Sequence, residues 1–281
     1  MPVNLVEQER ISVLDLKLDT REKVFTFDPE KDISKNSFEK IRKDFHAEAN
    51  YKLPTHLVGE FFHRASLATA LFPKRKHDFE IVGENQDFLK NMYNTLKDGT
   101  VGLYGLSNIA RGMVLIFPDE RELVTRNDQI YSKLKWEVRE KSDDLEKGFG
   151  HGIWLIKQAF NFKVVYPKEE PLKGNDFIFR KILEHIYGFR DDPHYFPGYP
   201  QYLAMMRFIF PERFREILPT HHELQEIKDY IWFRHRPLAS AEMAWALAVI
   251  CAKSASINEE GIEMIPNSDG EFLQLPERRK Y

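Results

Sequence analysis

Between residues 36 and 72 the apolar positions recur at every third or fourth residue, first Phe38, Ile41 and Phe45, then a run from Thr55 to Phe72. That period marks helices with one covered face, and Thr55, directly after Pro54, is a natural N-cap for the second. Upstream, residues 11–27 alternate instead, with Leu14, Leu16 and Leu18, then Val24, Phe25 and Phe27, and predict a β-hairpin folded about Asp19–Lys23. Pro73–His77 interrupts the periodicity and predicts an exposed connection, and a third helix is expected over Gln86–Leu96, stopped by Asp98-Gly99.

Over Val101–Phe117 the positions Leu103, Leu106, Ala110 and Val114 suit a buried helix, while Met113–Phe117 alone would suit a strand; the helix, ending before Pro118, is the favoured expectation. In residues 119–147 many charges surround Leu123, Ile130, Leu134, Trp136 and Val138, which predicts a surface strand or an irregular excursion. After the glycines of Gly148–Gly152 a helix is expected over Ile153–Phe160, then an extended segment over Lys163–Tyr166 ended by Pro167. Asn175 caps the next expected helix, which Gly188 ends, and the proline-rich Arg190–Pro200 is expected to be a loop. Further helices are expected over Gln201–Phe210, Glu212–Leu218, His221–Phe233 behind the cap Thr220, and Ser240–Ile257, the last apolar nearly all round and therefore central. The C-terminal GIEMIPNSDGEFLQLP predicts a closing hairpin across Asn267–Gly270. The fold class is thus mainly α (α+β): one helical domain over 1–281 with short β-hairpins near the N- and C-termini, any subdivision falling near 118–148.

Composition narrows the function classes. With 41 basic and 44 acidic side chains the formal charge is -3, so no global field draws the chain to nucleic acid or anionic lipid, and any such contact has to be local. One cysteine, Cys251, forms no internal disulfide and no cysteine-rich zinc site. The acidic N-terminal stretch and the lack of a bilayer-length apolar run lead to the expectation of a cytoplasmic protein with no membrane contact.

Candidate chemistry rests on a few constellations. Arg180 and His185, separated by four intervening residues in RKILEH, have the arrangement of the HEPN ribonuclease families. There an Arg and a His on one helix near a dimer seam act without metal on the RNA 2′-hydroxyl and phosphate. A guanidinium can stabilise phosphate charge and an imidazole can move a proton. The three spacings such a pair is permitted also arise by chance on ordinary helices, as at Arg215 with His221 or His222. Asn108 and Arg111 lie in an apolar window, where a guanidinium is either a structural anchor or a site residue, with His151 in the glycine bend as one potential neighbour.

LYGLSNIARGMVLIF followed by Gly150-His151-Gly152 resembles the YaaC-like family, whose members carry a Tyr-Tyr-Gly helix and a later His-Gly; the likeness covers about residues 100–155 and returns in HRPLASAEMAWALAVICAKSA. The chain departs from that pattern at Leu103-Tyr104-Gly105, and at Ala252-Lys253-Ser254 where the family has an Arg-Tyr pair. The resemblance implies a helical fold and no settled activity.

Gly148, Gly150 and Gly152 could cradle a phosphate, but SDDLEK before them is no buried strand, so a plain turn is expected. Glu60 and His63, and His222 and Glu226, have ligand spacing on a helix but lack a second matching pair, so no metal and no cofactor are expected. Lys74, Arg75 and Lys76 form one basic block, and Arg234 and Arg236 form another beside Trp232 and Phe233. Both suit single-stranded nucleic acid, or simply complement helix C-termini. Common hydrolase, nucleotide and calcium motifs are absent.

The leading expectation is a protein that interacts with RNA or single-stranded nucleic acid, extending to a metal-independent HEPN-like ribonuclease of a microbial defence or RNA-processing system. Its candidate catalytic residues are Arg180, His185, Arg111 and His151. One alternative is a non-enzymatic subunit with a protein partner or a homodimer, its aromatic stretch His194–Met206 buried by the partner. The other is a helical metal or small-molecule enzyme.

Overall fold

A computed structural model describes residues 27–49, 55–80, 103–117, 120–191, 198–231, 237–259 and 261–265, with Asn94 and Leu96. The expected N-terminal hairpin and the helix at 86–96 lie outside these residues, apart from Phe27, Asn94 and Leu96. The described helices are α1 (Pro29–Asp32), α2 (Lys35–Ala49), α3 (Thr55–Leu71), α4 (Leu103–Ile116), α5 (Arg121–Thr125), α6 (Asp128–Glu146), α7 (Gly152–Val165), α8 (Asp176–Asp191), α9 (Tyr199–Ile209), α10 (His221–Ile231) and α11 (Pro237–Cys251). Tight 3-10 turns at Pro73–Phe79 and Pro211–Glu216 and a two-stranded hairpin, β1 (Ser254–Asn258) and β2 (Gly261–Ile265), complete them. Among the described residues no helix is long and apolar enough to cross a membrane.

Five helices close a ring: α3 packs on α4, α4 on α7, α7 on α9, α9 on α11, and α11 back on α3. α11 is apolar on every side because it is enclosed, with Trp245 fully buried between Phe160 and Phe208. α3 and α4 approach closely at Gly112, where a Cβ would lie 2.1 Å from the Phe62 ring. Outside the ring, α2 covers α3 and α11, α6 and α8 cover α7, and α10 covers α11. A mainly α fold with a hairpin toward the C-terminus is what the periodicity predicts.

Several expectations need correction. Within 119–147, Arg121–Thr125 and Asp128–Glu146 are helical. Asn127 accepts bonds from the Gln129 and Ile130 backbone N–H groups and starts α6, and Ile130, Leu134, Val138 and Leu145 are buried along one face. The dense charge on the other three sides obscured that stripe. Lys163–Tyr166 is not extended, because Val164 and Val165 are buried and tertiary packing overrides their β preference. Gly188 does not stop α8: Phe189, one residue on, packs against His151 at 5.6 Å and the helix continues to Asp191.

The last helix ends at Cys251, six residues early. The buried Arg207 of α9 donates to the carbonyl oxygens of Val249, Ile250 and Lys253, satisfying groups that further helical turns would otherwise bond. The freed chain then forms β1, which pairs antiparallel with β2 from Ser254 opposite Ile265 to Asn258 opposite Gly261. The partner of GIEMI is therefore the segment before it; residues 266–276, the expected partner, lie outside the described set. The Pro73–His77 connection is exposed but wound as a 3-10 turn, and Glu212–Leu218 is likewise a 3-10 turn, Pro211–Glu216, rather than a helix. The caps Asn175 and Thr220 act as expected, Thr220 as a capping box with Glu223.

Candidate functional site

Polar side chains of all five ring helices meet inside the ring. Arg111 of α4, fully buried, donates from Nε to Ser66 Oγ at 2.9 Å, from Nη1 to Asn161 Oδ1 at 2.6 Å, and from Nη2 to His63 Nδ1 at 2.7 Å and the His63 carbonyl oxygen at 3.1 Å. Because His63 Nδ1 accepts, its proton sits on Nε2, which faces Gln201 Oε1 at 3.4 Å. Gln201 Nε2 donates to Glu242 Oε2 at 2.8 Å, and Arg64 returns the chain to α3 with its Nε 3.0 Å from Glu242 Oε1. Asn161 also donates to Ser107 Oγ and Asn108 Oδ1, each at 2.9 Å.

The charges in this relay are tuned by enclosure. Burial pulls the Arg111 guanidinium down to about 9, partly offset by Glu242, so it stays charged at pH 7. Burial, then Lys157 and Arg111, holds His63 well below its ordinary value and keeps the ring neutral. Burial and Arg111 bring the half-buried Lys157 down to about 8. Arg111 and Asn161 have no exposed surface, so no ligand reaches them while the ring is closed. The relay fits the anchor reading of Arg111, and its histidine is His63 rather than His151.

His151 and His185 meet elsewhere, at the exposed start of α7. Their rings stack at 4.5 Å. His151 is the N-cap, its Nδ1 accepting from Ile153 N at 3.4 Å, and His185 Nδ1 accepts from Gly152 N at 2.7 Å. Gly152 has to be glycine for this approach, since a Cβ there would lie 2.7 Å from Ile182 Cα and 3.0 Å from His185 Nδ1. Burial lowers the pKa of both imidazoles, and His185 lowers that of His151 further. Two neutral rings result, each with its proton on Nε2. Phe149, 89% exposed, lies on the same bend, and Trp154, 41% exposed, on the first turn of α7.

The remaining candidates are placed apart. Arg180 is exposed and acts on Glu216, whereas His185 faces α7; five helical steps separate them by about 140° around the axis, so one protomer does not converge them. The α7 N-terminus gives its first N–H groups to histidines, which leaves the glycine bend a plain turn. Lys74 and Lys76 are exposed, while Arg75 lies over the Phe38 ring at 3.7 Å. Arg234 and Arg236 lie outside the described residues. Both His63 nitrogens are hydrogen-bonded, and among the described residues no three metal-ligating side chains converge. The aromatic stretch expected to meet a partner is core from Tyr199 onward, with Leu203 to Met206 fully buried.

Asn161, Gln201 and Glu242 were missed by sequence reasoning. A signal existed, since each is a polar residue between apolar or aromatic neighbours, the same reason that singles out Arg111. Compared with protein-family models, curated proteins and solved structures, the chain matches none.

Proposed function

We propose that the chain binds single-stranded nucleic acid, RNA foremost, at the corner formed by His151, His185, Phe149 and Trp154. One observation carries the reading: two stacked neutral imidazoles keep their Nδ1 atoms on backbone N–H groups and so offer two Nε2–H donors at the bend and helical turn that also carry the exposed Phe149 and Trp154. Such donors suit phosphate and base-edge oxygens, and exposed rings suit unpaired bases.

The same geometry favours binding over catalysis. A general base needs an unprotonated nitrogen facing the substrate, and in His185 that nitrogen is held by Gly152. A HEPN-like ribonuclease would therefore need Arg180 brought to His185 by a second copy of the chain.

Fluorescence anisotropy with labelled single-stranded RNA tests the proposal. Binding is expected to weaken with salt, and Phe149→Ala or Trp154→Ala is expected to weaken it about 5- to 150-fold. No binding at low salt, or binding indifferent to both substitutions, overturns it. RNA cleavage in chelator that is lost in Arg180→Ala and His185→Ala would establish the ribonuclease instead.

A further inference from the structure

A cleft of about 550 Å3 opens between α5, the end of α7 and the turn joining β1 to β2, far along α7 from the histidine corner. Its walls are tied together. Tyr166 donates from its hydroxyl to the Val124 carbonyl oxygen at 3.3 Å and packs edge-on against Tyr131 at 5.0 Å, which fixes α5 and the end of α7. Lys168 Nζ lies 2.8 Å from Glu259 and links that end to the hairpin. The volume falls within the range of small-molecule sites, about 300–1,000 Å3.

The charges lining the cleft are committed, with one exception. Arg126 pairs with Glu122 at 2.6 Å, Lys168 with Glu259 at 2.8 Å, and Glu169 takes the Tyr131 hydroxyl at 3.1 Å with Lys135 at 3.8 Å. The half-buried Arg121 guanidinium has no hydrogen bond and no carboxylate within 4.0 Å among the described residues. Burial lowers its pKa, with Glu259 opposing, so the cation is partly desolvated without a direct partner. A guanidinium in that condition is stabilised by a planar anion that it can bond in a forked geometry.

We infer that this cleft binds a small monocarboxylate, its carboxylate on Arg121 and its apolar body against Val165, Tyr166 and Pro167. One uncommitted cation matches one negative charge. A dianionic phosphate would bring its second charge against Glu122, Glu169 and Glu259.

The experiment measures binding of acetate, benzoate and phenylpropionate, each beside its primary amide, and of inorganic phosphate, by ligand-observed NMR and calorimetry on the full chain. An acid with an apolar body is expected to bind at least about tenfold more tightly than its amide and than phosphate. Arg121→Gln removes that preference, and Arg126→Gln keeps it within about twofold. The acid–amide comparison on the unaltered protein stands even where a variant folds poorly. Equal binding of acid and amide, tighter binding of phosphate, no binding of any acid at millimolar concentration, or an unchanged preference in a folded Arg121→Gln protein overturns the inference.

Discussion

Replacing Arg111 by Met keeps an unbranched apolar stem, shorter than the arginine, and removes the guanidinium donors from the centre of the ring. Two large effects then oppose one another. A fully buried cation no longer has to be desolvated, which favours the variant by several kcal/mol in idealised form. Against this, His63 Nδ1 and Asn161 Oδ1 become orphans, at about 1–3 kcal/mol each, and a smaller loss follows at Ser66, whose hydroxyl keeps its own bond to the His63 carbonyl. The guanidinium is well satisfied by four bonds, so most of its desolvation is already offset and the orphans decide the sign. We expect Arg111→Met to lose about 3 kcal/mol of unfolding free energy. Urea denaturation followed by circular dichroism measures it, and His63→Leu completes a double-mutant cycle. Because both changes break the same bond, the double variant should fall short of the sum by about 1–3 kcal/mol. An Arg111→Met protein as stable as the parent, or a cycle additive within about 0.5 kcal/mol, would refute the claim that the relay holds the ring as one unit.

Stability should also depend on pH through the enclosed titratable groups. His63, His151 and His185 all have folded pKa values below the ordinary 6.5, so the unfolded chain binds more protons below that pH. Their contribution is complete above about pH 6.5 and is lost as pH falls; in thermal melts from pH 8 to 5 the parent should lose stability relative to His63→Leu, and parallel profiles for the two would contradict it. Glu137 behaves oppositely: burial, then Glu140, pushes its carboxyl up to about 8, and its Oε2 has no hydrogen bond. The folded state holds that proton, so stability falls as pH rises from about 4.5 through 8, and Glu137→Gln should be near neutral at about pH 4.5 and increasingly stabilising toward pH 8 in melts over that range. Gly152→Ala should lose about 1–3 kcal/mol in urea denaturation, because the new methyl meets the α8 backbone, and should disturb the His185 ring signals in NMR.

The local grammar of the chain was open to inspection in its residues. Asn175 and Thr220 mark helix starts because a side-chain oxygen beside an unsatisfied N–H acts within three residues. The stripe Phe38, Ile41, Phe45 marks a covered face because a helix presents every third or fourth residue to one side. The polar residues Arg111 and Asn108 in an apolar window announced a buried network without naming its members.

What tertiary structure alone decided are the outcomes that depend on partners distant in the chain. Arg207 ends α11 from 42 residues away, so the helix-to-strand change at Ser254 has no local sign. Arg111 found His63 and Asn161, 48 and 50 residues away, rather than His151, because ring closure fixes which helix faces meet. Arg180 and His185 sit near one another in the text and on different sides of α8 in space, since spacing along a helix converts to direction only through its 3.6-residue turn. Sequence sets which faces must be covered; packing chooses what covers them, because burial free energy is non-directional and only the closed ring supplies direction.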